Sequence, residues 1–386
     1  MSTNEAILSF NAGELSPKID TRIDVEKYRA GCRRLDNMIP TKYGGAEKRP
    51  GLKYIQDATT SPNNETVTTV RLVPFIYSKS VAYMIEIGTK YMRFYFGDAI
   101  LTDEDSDVVW IATPYAEEHI FQLKFQQIAD VMWITHPAYA PRKLSRTGVY
   151  TFELNEIDFR KGPFLLRNDL IDPVNPSETT LSCNVTQAGS VGILSASNDI
   201  FLEGHEGTLF KLIHPRTTTI VTLTGAGTSD TINIKGTFSF VTHGTWTGTT
   251  YLQRSDNLSD WENFRTYKSN ADRNIQLSHT EEDDNIRYRI NSDASGVSAD
   301  ISVEDSTQEG IVKVLSVMNG FQASVEVYAE LASTAATRRW AEGAWSATRG
   351  FPGTVTFFED RCVYGGAARQ LTNEEFSAST YPLLIV

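Results

Sequence analysis

A chain of 386 residues is long enough for two or three domains with sizeable cores, and its 40% apolar content is ordinary for a globular protein. The formal charge of −12 argues against a surface built to grip phosphates, which needs clustered Lys and Arg, but suits an acidic wall past which a duplex slides without sticking. Three widely separated cysteines, Cys32, Cys183 and Cys362, argue against a disulfide framework.

From Asp24 to Leu35, the residues Val25, Tyr28, Cys32 and Leu35 recur at helical spacing, which predicts a short amphipathic helix. Gly44-Gly45 permits a turn with positive φ, and Pro50-Gly51 stops any regular element. From about Thr66 to Phe159 the chain reads as short strands between polar turns: Arg71–Tyr77, Val81–Ile87, Lys90–Phe96, Phe121–Phe125, Val131–His136 and Val149–Leu154. Strands at such spacing suggest meanders, and repeated meanders suggest propeller blades. Pro163, Pro173 and Pro176 mark a linker-like stretch. Beyond it the chain becomes rich in Thr, Ser, Gly and Asn, with strands at Val191–Leu194, Thr208–Ile213, Ile311–Leu315 and Ala323–Tyr328. The expected organisation is therefore mainly β, with a short N-terminal helix. Residues 1–165 carry the N-terminal motif and the first propeller-like blades, and 166–335 an inserted β-sandwich or β-barrel region. A sandwich nests at about 237–303, and 336–386 returns to an incomplete platform.

The ordered set Gly13-Glu14, Asp24-x-x-x-Tyr28-x-x-Gly31, Gly44-Gly45 and Arg49-Pro50-Gly51 resembles the opening of the nozzle proteins of short-tailed phages, the tail tubular protein B family. A second resemblance brackets the insertion, at Trp340-Ala-Glu-Gly343-Ala-Trp345 and Gly350-Phe-Pro352. His136-Pro137 with Pro141, Leu144 and Arg146 is similar to a recurrent blade turn of that family. The resemblance implies a propeller platform, a homo-oligomeric ring of six subunits, and contacts with the adaptor, the portal and the tail fibres. It also implies double-stranded DNA passing through the lumen without sequence-specific binding. On this reading the protein belongs to the virion, is made in the host bacterial cytoplasm, and uses the fifteen motif residues for architecture and assembly. Family members continue past Val363-Tyr364-Gly365-Gly366 for several blades. Two readings stay open: a C-terminally truncated member with open strand edges, or a short member closed by its own last strand.

Chemistry is sparse. No phosphate-binding Gly-rich loop, His-Glu-x-x-His, Cys-x-x-Cys or Gly-x-Ser-x-Gly is present, so no enzyme, cofactor or metal is predicted. The six histidines are scattered singly. Asp103–Asp107 has the alternate carboxylates of a calcium loop but lacks its glycine and its terminal glutamate, and Glu281–Asp284 reads as a solvated turn. Arg33, Arg34, Lys42, Lys48 and Arg49 form the one basic concentration, suited to DNA or to acidic surface on a neighbouring subunit. No stretch is apolar enough to span a bilayer and no basic n-region opens the chain, so neither membrane insertion nor secretion is predicted. A different class stays in view: a β-rich host-surface or glycan-binding adhesin, with Trp246, Tyr251 and Trp261 as its aromatic platform.

Overall fold

The computed structural model describes residues 9–58, 61–63, 68–78, 81–171, 177–359, 361–367 and 384–385, and falls into two compact units, Met1–Asp57 and Ala58–Val386. The linker prolines Pro173 and Pro176, the stretch 370–375 and the ends of the predicted closing strand lie outside the described residues. Among the described residues the structure is mainly β, with short 3-10 turns and no α-helix.

In the first unit the predicted amphipathic helix is replaced by a 3-10 turn, Glu26–Ala30, followed by an extended pair, Gly31–Cys32. The extended pair bridges Gly13–Glu14 in parallel, and Leu15 N–H donates to Cys32 O at 2.9 Å. None of the turn's residues is buried. Most helix stability in proteins comes from burying an apolar face, and with no core beneath it the periodic pattern lacks that support. A hairpin, Met38–Pro40 with Ala46–Lys48, completes the unit.

In the second unit, Arg71–Ile76, Ala82–Gly88, Tyr91–Phe96 and Ala99–Ile100 form a meander, with Trp110–Ala112 pairing Tyr91–Phe96. A four-stranded meander follows: Lys124–Ile128, Val131–His136, Tyr139–Arg146 and Phe152–Glu156. The two sheets share one core, with Phe75, Ile85, Phe94, Ile134, Leu144 and Phe152 inside it. Tyr139–Arg146 was hidden in the sequence because Pro141 looked like a turn; it lies where the pairing with Ile134–His136 shifts register, a place that tolerates a missing N–H.

The inserted region has two parts. A six-stranded antiparallel sheet runs in the order Leu181–Cys183, Val191–Ala196, Gln322–Ala329, Thr307–Asn319, Leu209–Pro215, Trp340–Glu342. Its inner face carries Leu194, Phe210, Leu212, Val312, Val325 and Trp340. Between Leu209–Pro215 and Thr307–Asn319 the chain leaves to build a seven-stranded sheet spanning Ile220 to Val303. The section read as a nested sandwich over 237–303 lies within this single sheet, which curls into a half-barrel around Phe238, Phe240, Trp246, Tyr288 and Ile290. Strands of 11 to 17 residues accumulate enough twist to curl, and register shifts at Ile234/Gly236 and Leu252/Gln253 add to it. Glu281–Asp284 is therefore no turn between strands; it bulges from the middle of Gln276–Ser292, with Asn285 at φ 64°.

The chain then returns through Pro352–Phe358 and Arg361–Ala367, with Leu384–Ile385 pairing Val363 and Tyr364. Trp133 meets Phe357 edge to face at 4.9 Å, so the returning hairpin packs on the four-stranded meander.

Candidate functional site

The motif residues of the first unit make one local framework. Gly13 takes a positive φ at the parallel bridge, and the Glu14 carboxylate accepts Leu35 N–H at 2.9 Å. Asp24 pairs with Arg22 through two hydrogen bonds of 2.7 and 2.6 Å, both side chains exposed, which lowers the Asp24 carboxyl below its ordinary range. The Tyr28 hydroxyl accepts Thr21 N–H at 3.0 Å, and Gly31 lies against Leu15. Gly44, at φ 104°, is buried in the hairpin turn and its carbonyl accepts Phe10 N–H, while Gly45 O accepts Thr41 N–H. Arg49 donates to Asn37 Oδ1 at 2.7 Å and to Pro50 O, and Pro50 and Gly51 are exposed.

The second motif lies in the other unit, where the chain enters and leaves the inserted region. Pro163–Leu165 and Glu342–Ala344 run side by side: Leu165 N–H donates to Glu342 O at 2.8 Å and Ala344 N–H to Pro163 O at 2.9 Å. Both ends thus meet at the edge strand Trp340–Glu342, which pairs Leu209–Pro215. Gly343 permits the approach, since a Cβ there would sit 2.8 Å from Leu209 O, below any normal contact. Trp340 hangs its indole from Thr179 O at 2.9 Å, and the same carbonyl accepts Asn168 Nδ2. Trp345 turns to the other side and packs edge to face on Phe159 at 4.9 Å and on Tyr364 at 5.9 Å. Gly350, at φ 88°, closes a tight turn by exchanging backbone hydrogen bonds with Ser346, and Pro352 opens the returning strand.

A buried carboxylate anchors this junction. Glu342 receives Arg349 through Nε at 2.9 Å and a second guanidinium nitrogen at 2.7 Å, and His205 Nε2 at 3.1 Å. Leu202 N–H donates to His205 Nδ1, which places the ring proton on Nε2 and makes His205 a donor to Glu342. Burial pushes the Glu342 carboxyl up, but the hydrogen bonds from Arg349 and His205 outweigh it and hold it below its ordinary value. Beside the anchor is a cavity of about 110 Å³ lined by Glu156, Phe159, Pro163, Leu209, Lys313 and Trp345.

Sequence reasoning missed His205, Glu342 and Arg349. Glu342 lies inside the Trp-Ala-Glu-Gly-Ala-Trp run, so the signal was present, whereas His205 gives none. The histidines are also less solitary than their spacing implied: the His119 and His136 rings meet at a tilt of 46° with centres 4.5 Å apart, and the Tyr139 hydroxyl bonds His119. Of the aromatic platform, Trp246 is 1% exposed and donates to Arg273 O, so it cannot stack on a ligand; Trp261 stacks beneath Arg289. The acidic loop Asp103–Asp107 folds on itself, with Asp103 Oδ1 accepting the amides of Asp105 and Asp107. Among the described residues no group of three or more His, Cys, Asp or Glu converges as a metal site, and no helix is long and apolar enough to cross a membrane.

A scan against protein-family models gives no match, and a search of curated proteins gives none.

Proposed function

We propose that this chain is a structural protein of a phage tail, of the nozzle kind, working as part of the conduit that retains double-stranded DNA and then passes it during ejection. Its role is mechanical and not catalytic. The two meanders and the returning hairpin serve as propeller-like blades of a platform, and the inserted region projects from that platform. Subunits assemble as a six-membered ring in the virion, below the adaptor and portal and in contact with fibres, after synthesis in the host cytoplasm.

The observation that carries the reading is the ordered pair of motifs, Gly13 to Gly51 and Trp340 to Pro352, one at each end of the chain. The geometry adds support: each set forms one hydrogen-bonded framework, and the second surrounds the point where the inserted region is joined to the blades. The net charge of −12 fits a lumen that does not hold DNA by its phosphates.

The test is mass and shape in solution, by light scattering on a sizing column and electron images of the same peak. A six-fold ring with a central opening is expected. A homogeneous monomer at all concentrations, in the presence and absence of a tail adaptor, would remove the ring and with it this reading.

A further inference from the structure

We infer that residues 9–57 form a docking arm that seats on the acidic body, residues 58–386, of a second copy of this chain. The inference rests on the ring proposed above and names a surface that joins its subunits.

The first observation is that the arm is shaped but has no core. Among its described residues only Gly44 is buried. Tyr43 is 94% exposed, Leu52 86% and Tyr54 77%, and Ile23, Met38, Ile39 and Ile55 are exposed as well. Yet part of its backbone is paired, in the parallel bridge of Gly13–Glu14 with Gly31–Cys32 and in the hairpin of Met38–Pro40 with Ala46–Lys48. Ordering a backbone costs conformational entropy at every residue, and an isolated hairpin is marginal in water. Burying the exposed apolar side chains offsets that cost only when a second surface covers them.

Charge identifies the surface. Residues 1–57 hold 10 Lys and Arg against 8 Asp and Glu, whereas residues 58–386 hold 26 against 40. The arm is thus weakly basic, and the body carries the whole acidic excess. A second copy presents a surface of the complementary sign, and complementary charge steers the encounter while the apolar side chains supply the burial.

The experiment uses the full chain. Unlabelled protein carrying a photo-crosslinker in the change Tyr43→p-benzoylphenylalanine is mixed with ¹⁵N-labelled unmodified protein and irradiated. Expected are mixed-label peptides joining position 43 to residues within 58–386, with a yield that falls several-fold between low and high salt. The double change Leu52→Asp with Tyr54→Asp should reduce the oligomer to monomer and leave the thermal transition of the body in place, since both side chains are exposed. Same-label crosslinks alone mean the arm folds back on its own body, and overturn the inference; so does an oligomer, or a monomer, that gives no mixed-label product. A ring whose arms do not crosslink keeps the nozzle reading and removes the arm. Mixed-label arm crosslinks in an assembly that is not a ring keep the arm and remove the nozzle reading.

Discussion

The inserted region is fastened at two places by opposite means: a junction joins it to the blades, and a seam joins its own two sheets. At the junction, Trp345, Phe159 and Tyr364 meet edge to face, and the polar groups there converge on one buried carboxylate, Glu342. At the seam between the curled sheet and the six-stranded sheet, nearly everything is polar. Glu330 receives Asn233 at 2.7 Å and the Arg287 guanidinium, Asn285 exchanges hydrogen bonds with Tyr328 O and Glu330 N–H, and Arg216 donates to Asn233 O and Asp305 O. These groups surround a cavity of about 230 Å³. Edge-to-face rings lose close contacts outright when parted, whereas a polar seam exchanges its hydrogen bonds for water at small net cost. The junction should therefore hold until the unit unfolds, and the seam should open first.

The comparison breaks if the junction proves dispensable. Trp345→Ala should cost about 3–5 kcal/mol in denaturant unfolding, the usual range for a buried tryptophan. Next comes Gly343→Val, at about 3 kcal/mol, because the added Cβ meets backbone and not a movable side chain. Glu342→Gln should cost about 2 kcal/mol at neutral pH, less than a fully buried pair because Arg349 is half exposed. The pH dependence sharpens this. The folded Glu342 carboxyl lies below its ordinary value of 4.5, so the unfolded chain takes up the proton first. Its stabilisation is complete above that value and is lost as pH falls through the lower folded-state value; the Gln variant should flatten that limb of a stability profile.

Smaller effects belong to the seam. Glu330→Ala should raise hydrogen exchange about 5- to 30-fold in Ile232–His243 and Gln276–Ser292, the equivalent of about 1–2 kcal/mol, while Trp340–Glu342 stays protected. Raising salt from 0.1 to 1 M should move the same amides by less than about fivefold, since partly exposed ion pairs contribute at most about 1 kcal/mol. Equal responses at seam and junction would erase the distinction.

The first strands of the first meander were legible because Val73, Phe75 and Tyr83 alternate with exposed neighbours; from Ile85 to Phe94 the alternation stops, because Glu86 and Arg93 are buried as an ion pair between apolar residues. The curled sheet was half legible. Its alternation is plain, but Glu281–Asp284 interrupts it with four carboxylates, and nothing local tells that Arg254 and the Tyr288 hydroxyl await Glu281 inside. Burial pushes the Glu281 carboxyl up, and those two partners, with Asp283 N–H, bring it below its ordinary value. The N-terminal helix failed for the reverse reason: Val25, Tyr28 and Cys32 have the right period, but no core lies under it. At the junction, the tryptophans and glycines were visible as a motif. The His205–Glu342 pair, 137 positions apart, depends on a register that only the folded sheet sets.

At the base of the curled sheet, Arg216 N–H donates to Ser306 O at 2.7 Å, so the strand leaving the six-stranded sheet and the strand rejoining it are clasped where they part. Tension pulled along the chain runs from Leu209–Pro215 across that clasp into Thr307–Asn319 and bypasses everything between. The curled sheet lies beside the line of force, like a pennant on a taut rope, and would keep its shape until the clasp itself gives way.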